Sequence, residues 1–507
     1  MNRVLGTLLL PFLLACGGGG GSSKDVPSTP DVTDPGPATD PGPGTDPGKD
    51  IPIVTNPAIP IEIDCKDGSG TLYAAPGTLP ADKGAILKCV TDTALTRADL
   101  QAKLDTLAFA GNPATSGATV HRILYRTERG TGAAAAATAI VYLPDNPAAE
   151  KMPVVVASHG SRGQAGVCAP SKGAPEGAYV QPDFEAQVLP LVAAGFPVIA
   201  PDLAGYANFG AADNPPSAYA SAADVARSTL DAVKALRALA GKRLTDQIAI
   251  TGHSQGGHTA LSSLALSGTY GVDGKIAAVA TYAPLWLSQR SWGALFLLAD
   301  MYKIADVPSV NAVSVWYHYT QGELYDGAGH GKDVFATDKQ EGIKQFVFEN
   351  CWADKYPALE ALGTTVSDLF SQDFQQAIMV AAGMGTDCPA DEPGKSLCEK
   401  WIKRYTEDRP HLAGDALSVP ILLVYGGKDT TIPPDRFQCA IDRLEKDKAA
   451  VTQCFAPEGI HGDILKSQGQ YVIDWLKNKL LGMPIGVACP ADKIETGKNC
   501  ASLPPND

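Results

Sequence analysis

Thr251-Gly252-His253-Ser254-Gln255-Gly256-Gly257-His258 is the stretch around which the chain is built. It follows a short apolar run, Gln247-Ile248-Ala249-Ile250, and leads into a helix-compatible run from His258 to Leu266. Gly-x-Ser-x-Gly between a strand and a helix predicts a nucleophile elbow. The turn would hold Ser254 in a strained backbone conformation, and only glycine at Gly252 and Gly256 lets strand and helix approach closely. The helix N-terminus then lies beneath the serine, where its free N–H groups favour developing negative charge. A Gly-rich loop carrying an ordinary serine is the plain alternative, so the residues arranged around the motif have to decide.

A serine hydroxyl is a poor nucleophile until a base takes its proton and an acid orients that base. In this architecture the chain order is Ser, then Asp or Glu, then His. After a buried-strand candidate, Ile421 to Tyr425, stands Gly426-Gly427-Lys428-Asp429, which sets Asp429 at a strand's carboxyl end. Beyond it one histidine remains, His461, in Gly459-Ile460-His461-Gly462-Asp463. Alone, Asp429 reads as a turn residue and His461 as a loop histidine. Together, in order, they predict a Ser254, Asp429, His461 triad, with Asp435 as the reserve acid. The oxyanion needs two N–H donors. Gln255, directly after the serine, is one candidate. The other is expected in Ser158-His159-Gly160-Ser161-Arg162-Gly163, from Ser161 first and Gly160 second. His253 is expected to pack inside the elbow, His258 to brace it and His159 to fix its loop; His318 and His330 are assigned nothing.

The rest of the chain supplies a matching scaffold. Pro153 to Ala157, Phe196 to Ala200, Ile276 to Ala283 and Ile421 to Tyr425 are β-branched runs suited to strands buried on both faces. His121 to Thr127 and Ala137 to Leu143 read as an earlier strand pair, with Tyr125, Ile140 and Tyr142 inside. Between strands, Val225, Thr229, Ala232, Val233, Leu236 and Leu239 fall on one helical stripe that ends at Gly241. Later elements are a helix around Asp435 to Leu444, a weak strand near Cys454 and a helix over Tyr471 to Leu480. Alternating strands and helices predict a mainly parallel sheet flanked by helices. From 285 to 418 no strong strand occurs, which predicts a helical cap inserted between two strands. There Trp286, Leu287, Trp292, Leu295, Phe296 and Leu297 could line an acyl pocket or form the cap's own core.

The N-terminus reads as an export signal. Arg3 precedes an apolar run, Val4 to Leu14, too short to span a bilayer, and Leu13-Leu14-Ala15-Cys16 resembles a bacterial lipobox. Lipidation of Cys16 would anchor the protein to a membrane of the cell envelope. Residues 17 to 60 are a Gly, Pro, Asp and Thr tether with nothing to bury. With 41 Lys+Arg against 55 Asp+Glu the net charge is −14, which argues against a nucleic-acid partner. Cys16 removed, the 11 cysteines leave ten, and disulfides are expected after export. Close pairs suggest Cys65 with Cys89, Cys388 with Cys398, Cys439 with Cys454, and Cys489 with Cys500. That leaves Cys168 and Cys351, whose pairing would close a long loop. No Cys-x-x-Cys spacing marks a zinc site, so no structural metal is expected.

On His159-Gly160, Cys168-Ala169-Pro170-Ser171, Pro201-Asp202-Leu203-Ala204-Gly205-Tyr206 and Gly252-His253-Ser254-Gln255-Gly256-Gly257, the chain resembles α/β-hydrolases, and within them bacterial relatives of the secretory lipases typified by yeast lipase A. The resemblance covers residues 118 to 482. It implies the α/β-hydrolase fold with a large helical cap insertion, and an esterase or lipase acting through Ser254, Asp429 and His461 without a cofactor. It also implies that Cys168 bonds to a cap cysteine, Cys351. The organisation expected is a signal (1–16), a tether (17–60), an N-terminal flank (61–117), a hydrolase core (118–284 and 419–482), a cap (285–418) and a tail (483–507). Its substrate would be a small-molecule or lipid ester; no oligomeric state is assigned. A prolyl-oligopeptidase-type peptidase shares the elbow, but the flank before residue 118 is too short for the propeller such enzymes usually carry. A non-catalytic surface binding protein on the same scaffold is the rival from another class.

Overall fold

The apolar runs assemble into one sheet of nine strands: β1 (Ile86–Thr91), β2 (Ala118–Glu128), β3 (Ala134–Pro144), β4 (Met152–Ser158), β5 (Val198–Ala204), β6 (Leu244–His253), β7 (Lys275–Tyr282), β8 (Ile421–Gly426) and β9 (Val451–Ala456). The computed structural model describes residues 55–173, 182–211 and 213–493. The leader with Cys16, the tether up to residue 54, Cys500 and the side chain of Asp435 lie outside the described residues.

The spatial order is β1-β2-β3-β5-β4-β6-β7-β8-β9. The β1–β2, β2–β3 and β3–β5 pairs are antiparallel, and every pair from β5–β4 to β8–β9 is parallel. β4 to β9 are therefore the parallel body expected from the β-branched runs. β4, β5 and β8 are buried along their whole length, as strands covered by helices on both faces must be. Tyr125, Ile140 and Tyr142 are buried as expected. The amphipathic stripe from Val225 becomes the helix Ala222–Ala240; Gly241 caps it in a right-handed conformation and opens a 3-10 turn, not a left-handed stop. Residues 61 to 117 supply the edge strand β1 and the helix Arg97–Thr106. That helix starts on a capping box made by Thr96 and Asp99.

Between β7 and β8 the described residues form helices and turns but no strand of the sheet, and they bury a core of their own. Trp316, Trp401, Phe370 and Phe374 are at its centre, and His318 is enclosed there between the Ser314 carbonyl and the Tyr405 hydroxyl. Among the ties that hold this cap to the sheet domain are a disulfide and two hydrogen bonds to Asp408. Cys168 is bonded to Cys351. The His258 Nε2–H donates to the Asp408 carbonyl over 2.6 Å, and the Ala222 N–H donates to the Asp408 carboxylate over 2.8 Å.

The Cys65–Cys89 and Cys388–Cys398 pairs also form. The expected Cys439–Cys454 and Cys489–Cys500 pairs do not: Cys454 is bonded to Cys489. The reason is the docking of the tail, where Ala491 bridges Phe455 and so lays residue 489 against β9. Sγ atoms of Cys65 and Cys89 lie near the His121 ring, but as a disulfide they offer no thiolate to a metal. Among the described residues no helix is long and apolar enough to cross a membrane.

Candidate active site

The elbow forms as its residues require. β6 ends at His253, the helix Gln255–Tyr270 begins at Gln255, and Ser254 between them has φ 55° and ψ −118°. Such a conformation costs a non-glycine residue about 1–3 kcal/mol and persists only when its surroundings enforce it. Four main-chain hydrogen bonds do so. The Ser254 N–H donates to Tyr282 O over 2.9 Å, and its carbonyl accepts from Gly257, His258 and Leu285. A Cβ on Gly252 would overlap the Gly256 carbonyl, and one on Gly256 would overlap that of Ser158. Close approach, not left-handed backbone, is what these two glycines provide.

Sheet register brings the remaining groups to the same edge. β4 and β6 are parallel neighbours with Ser158 opposite Gly252, so the loop after β4 lies level with the elbow. β8 lies two strands from β6, and Asp429 follows its end. Asp429 is buried, and its Oδ1 accepts the Thr431 and Ile432 N–H groups, each at 2.8 Å. Its Oδ2 is thereby aimed at His461, whose Nδ1 lies 2.7 Å away. Burial holds the His461 imidazole below its ordinary pKa; the Asp429 hydrogen bond opposes that, and His253 adds to it. The His461 ring packs on the ring of His253, the residue that precedes Ser254, with centroids 4.6 Å apart. Among the described residues no hydrogen bond joins the Ser254 hydroxyl to the imidazole. In hydrolases without substrate that bond is commonly long and tightens only in the complex.

Ser254 opens into a cavity of about 290 Å³. Ser161 and Tyr219 line it beside the serine, and Trp286, Leu287, Trp292, Leu295, Val310, Val313 and Phe437 make its walls apolar. Of the expected cap residues, Phe296 packs instead on Phe370 and Phe374 inside the cap, and Leu297 is exposed. Ser161 shares the cavity with Ser254, while Gly160 faces Asp183 and His253. The Gln255 and Ser161 N–H groups have no acceptor among the described residues, which leaves both available to an anion. A second space, a groove of about 670 Å³, is lined by His461, His253, Asp183, Asp354 and Asp463. Ser309, Trp352 and Thr431 border both spaces. A recess of about 430 Å³ by Arg129 and Glu323 contains none of these groups.

A family model described as the alpha/beta hydrolase family matches residues 154–454. The chain belongs to the α/β hydrolase family. No curated protein matches the sequence. Among solved structures it is similar to lipase A of Candida antarctica, at 15% identity over 83% of this chain and 89% of the lipase, with a TM-score of 0.58. It is also similar to the rice cell wall degrading esterase LipA of Xanthomonas oryzae, at 18% identity over 80% of this chain and 99% of the esterase, with a TM-score of 0.57. Family membership gives the coarse class, a hydrolase; the likenesses to solved structures are likenesses of fold.

Sequence reasoning missed several groups at the hydrolase's site. The Ser161 hydroxyl pairs with the Tyr219 hydroxyl at 2.6 Å, and Trp352 borders both spaces. Asp183 and the buried Arg162 form an ion pair at 3.4 Å behind Gly160. Burial would raise the Asp183 carboxyl, but Arg162 and then His253 hold it well below its usual range. No spacing in the sequence marks Asp183 or Tyr219. His159 is buried with Nδ1 at 2.7 Å from Gly160 O; burial pushes it down to about 4, so it stays neutral and fixes its loop, as expected. His258 is likewise neutral, lowered to about 4 by burial, and braces the elbow helix against Asp408.

Proposed function

We propose that this hydrolase is a serine carboxylesterase. Ser254 Oγ attacks the ester carbonyl carbon while His461 takes the hydroxyl proton, and Asp429 holds the resulting imidazolium. The Gln255 and Ser161 N–H groups receive the oxyanion, a contribution of about 2.7–4 kcal/mol per donor. Collapse expels the alcohol with the proton from His461. Water then attacks the acyl-enzyme, His461 acting as base, and the acid and free Ser254 are released. The steps drawn use protein groups and water alone.

The observation that carries this reading is the Asp429–His461 pair, at 2.7 Å, packed on the residue that precedes a strained serine. The apolar cavity beside Ser254 supports an acyl group of aliphatic or aromatic character, and the polar groove beside His461 suits the departing alcohol. The fold neighbours, a lipase and a cell wall degrading esterase, point the same way. Four disulfides among the described residues support export to an oxidising compartment, in keeping with a lipid anchor at Cys16.

The test is turnover of nitrophenyl esters of graded chain length by wild type and Ser254→Ala. The reading expects turnover by wild type and its loss in the variant, with the fold kept. Cleavage of aminoacyl-anilides but not esters would instead make the protein a peptidase.

A further inference from the structure

His461 is anchored through its ring by Asp429, but its main chain has a single tether. Among the described residues the one hydrogen bond to the His461 backbone comes from His253, whose Nε2 lies 3.0 Å from the His461 carbonyl. A carbonyl only accepts, so Nε2 carries the proton. The two rings also touch, at 4.6 Å and 48°. Other ties on this loop act on its neighbours: Lys428 N–H to Gly459 O and Gly459 N–H to Ala456 O upstream, Ile464 N–H to Ile460 O across it, and Leu465 N–H to Gly462 O downstream.

His253 is itself held in place. It is 4% exposed and ends β6, so its Cα is fixed by the sheet. Its Nδ1 has no hydrogen-bond partner among the described residues but stands 3.5 Å from Asp183 Oδ2. Asp183 Oδ1 in turn meets Arg162 at 3.4 Å, and Arg162 directly follows Ser161. Gly160 makes this junction possible, since a Cβ there would stand 3.2 Å from both Asp183 Oδ2 and His253 Nδ1. One line of contacts, Arg162–Asp183–His253–His461, therefore joins the loop after β4 to the loop after β9.

We propose that His253 is a positioning residue, fixing the main chain and ring of His461 relative to Ser254 and tying that position, through Asp183 and Arg162, to the loop that carries the Ser161 N–H. This rests on the esterase reading of Ser254 and His461. A misplacement of about 1 Å in a reacting group lowers turnover about 10²-fold without a matching change in substrate binding. His253 therefore acts on kcat and hardly on KM.

The test uses the full chain with nitrophenyl butanoate. His253→Leu keeps the bulk and removes the N–H; kcat should fall about 10²-fold with KM within about 2-fold. His253→Gln returns a terminal N–H near the Nε2 position and should recover about 10-fold of that loss. Asp183→Asn should lower kcat about 10-fold, and the double variant Asp183→Asn with His253→Leu should lose no more than His253→Leu alone, because both act on one link. The Nδ1–H proton resonance of His461 should stay sharp in wild type and the glutamine variant and broaden in the leucine variant. Unchanged kcat in His253→Leu, a loss confined to KM, or no recovery by glutamine overturns the proposal. Should His253→Leu fail to fold, unchanged kcat in Asp183→Asn overturns it instead. Wild type without esterase turnover overturns the underlying reading first, whereas an active wild type with unaffected variants overturns the positioning role alone.

Discussion

Replacing Ser254 by glycine should make the protein more stable than replacing it by alanine, although the esterase reading expects neither variant to turn over an ester. Ser254 has φ 55° and ψ −118°, a region that side chains with a Cβ rarely occupy. Alanine keeps the Cβ and with it the strain of about 1–3 kcal/mol; glycine releases it. Against that gain, glycine makes the unfolded chain more flexible, which costs about 0.4–1 kcal/mol. The Ser254 hydroxyl has no hydrogen-bond partner among the described residues, so its removal is the same small change in both variants. The balance favours glycine by about 1 kcal/mol, roughly 2 °C in melting temperature for a domain of this size. Calorimetry of the two variants at one scan rate reads the difference directly. A glycine variant that melts with or below the alanine variant would refute the claim that the elbow holds its nucleophile under strain.

Three further outcomes follow from the geometry. Val313→Trp intrudes on the cavity beside Ser254, so kcat/KM for a nitrophenyl octanoate should drop about 10–100-fold while the acetate changes far less. The acid limb of kcat/KM should fall below the ordinary histidine value of 6.5, because burial, aided by His253 and opposed by Asp429, disfavours the imidazolium of His461. A base must be neutral, so rate rises with pH through that lowered value; a midpoint above 6.5 would contradict the assignment. Cys351→Ser opens a bridge spanning 183 residues and should destabilise the protein by about 2–5 kcal/mol, visible as a lower denaturation midpoint that reductant no longer shifts at this bridge.

Much of this site was legible because its residue types answer steric and chemical demands that leave few substitutes. Gly252 and Gly256 must lack a Cβ for strand and helix to meet, and the order of Ser254, Asp429 and His461 follows from a parallel sheet that presents all its carboxyl ends at one edge. Contacts made by docking left no such trace. Asp183 begins a helix whose approach to Gly160 depends on the sheet's twist and packing, and nothing local marks it. Proximity in sequence favours Cys439 with Cys454 and Cys489 with Cys500, whereas the tail folds back across β9 and brings Cys489 to Cys454. β1 leaves little trace in the sequence, because an edge strand that is only partly buried carries a weak apolar pattern. Phe296 and Leu297 follow Leu295 on one short helix, yet one faces the cap's core and the other solvent, a distinction fixed by how that helix is rotated.

The central claim is that Ser254 is a nucleophile activated by His461. A fluorophosphonate probe applied to the full chain, followed by mass-spectrometric mapping of the adduct, tests it most directly. The account predicts one adduct, on Ser254, formed far more slowly in His461→Ala. An unlabelled Ser254 in the folded protein, or labelling that is indifferent to His461, would contradict it.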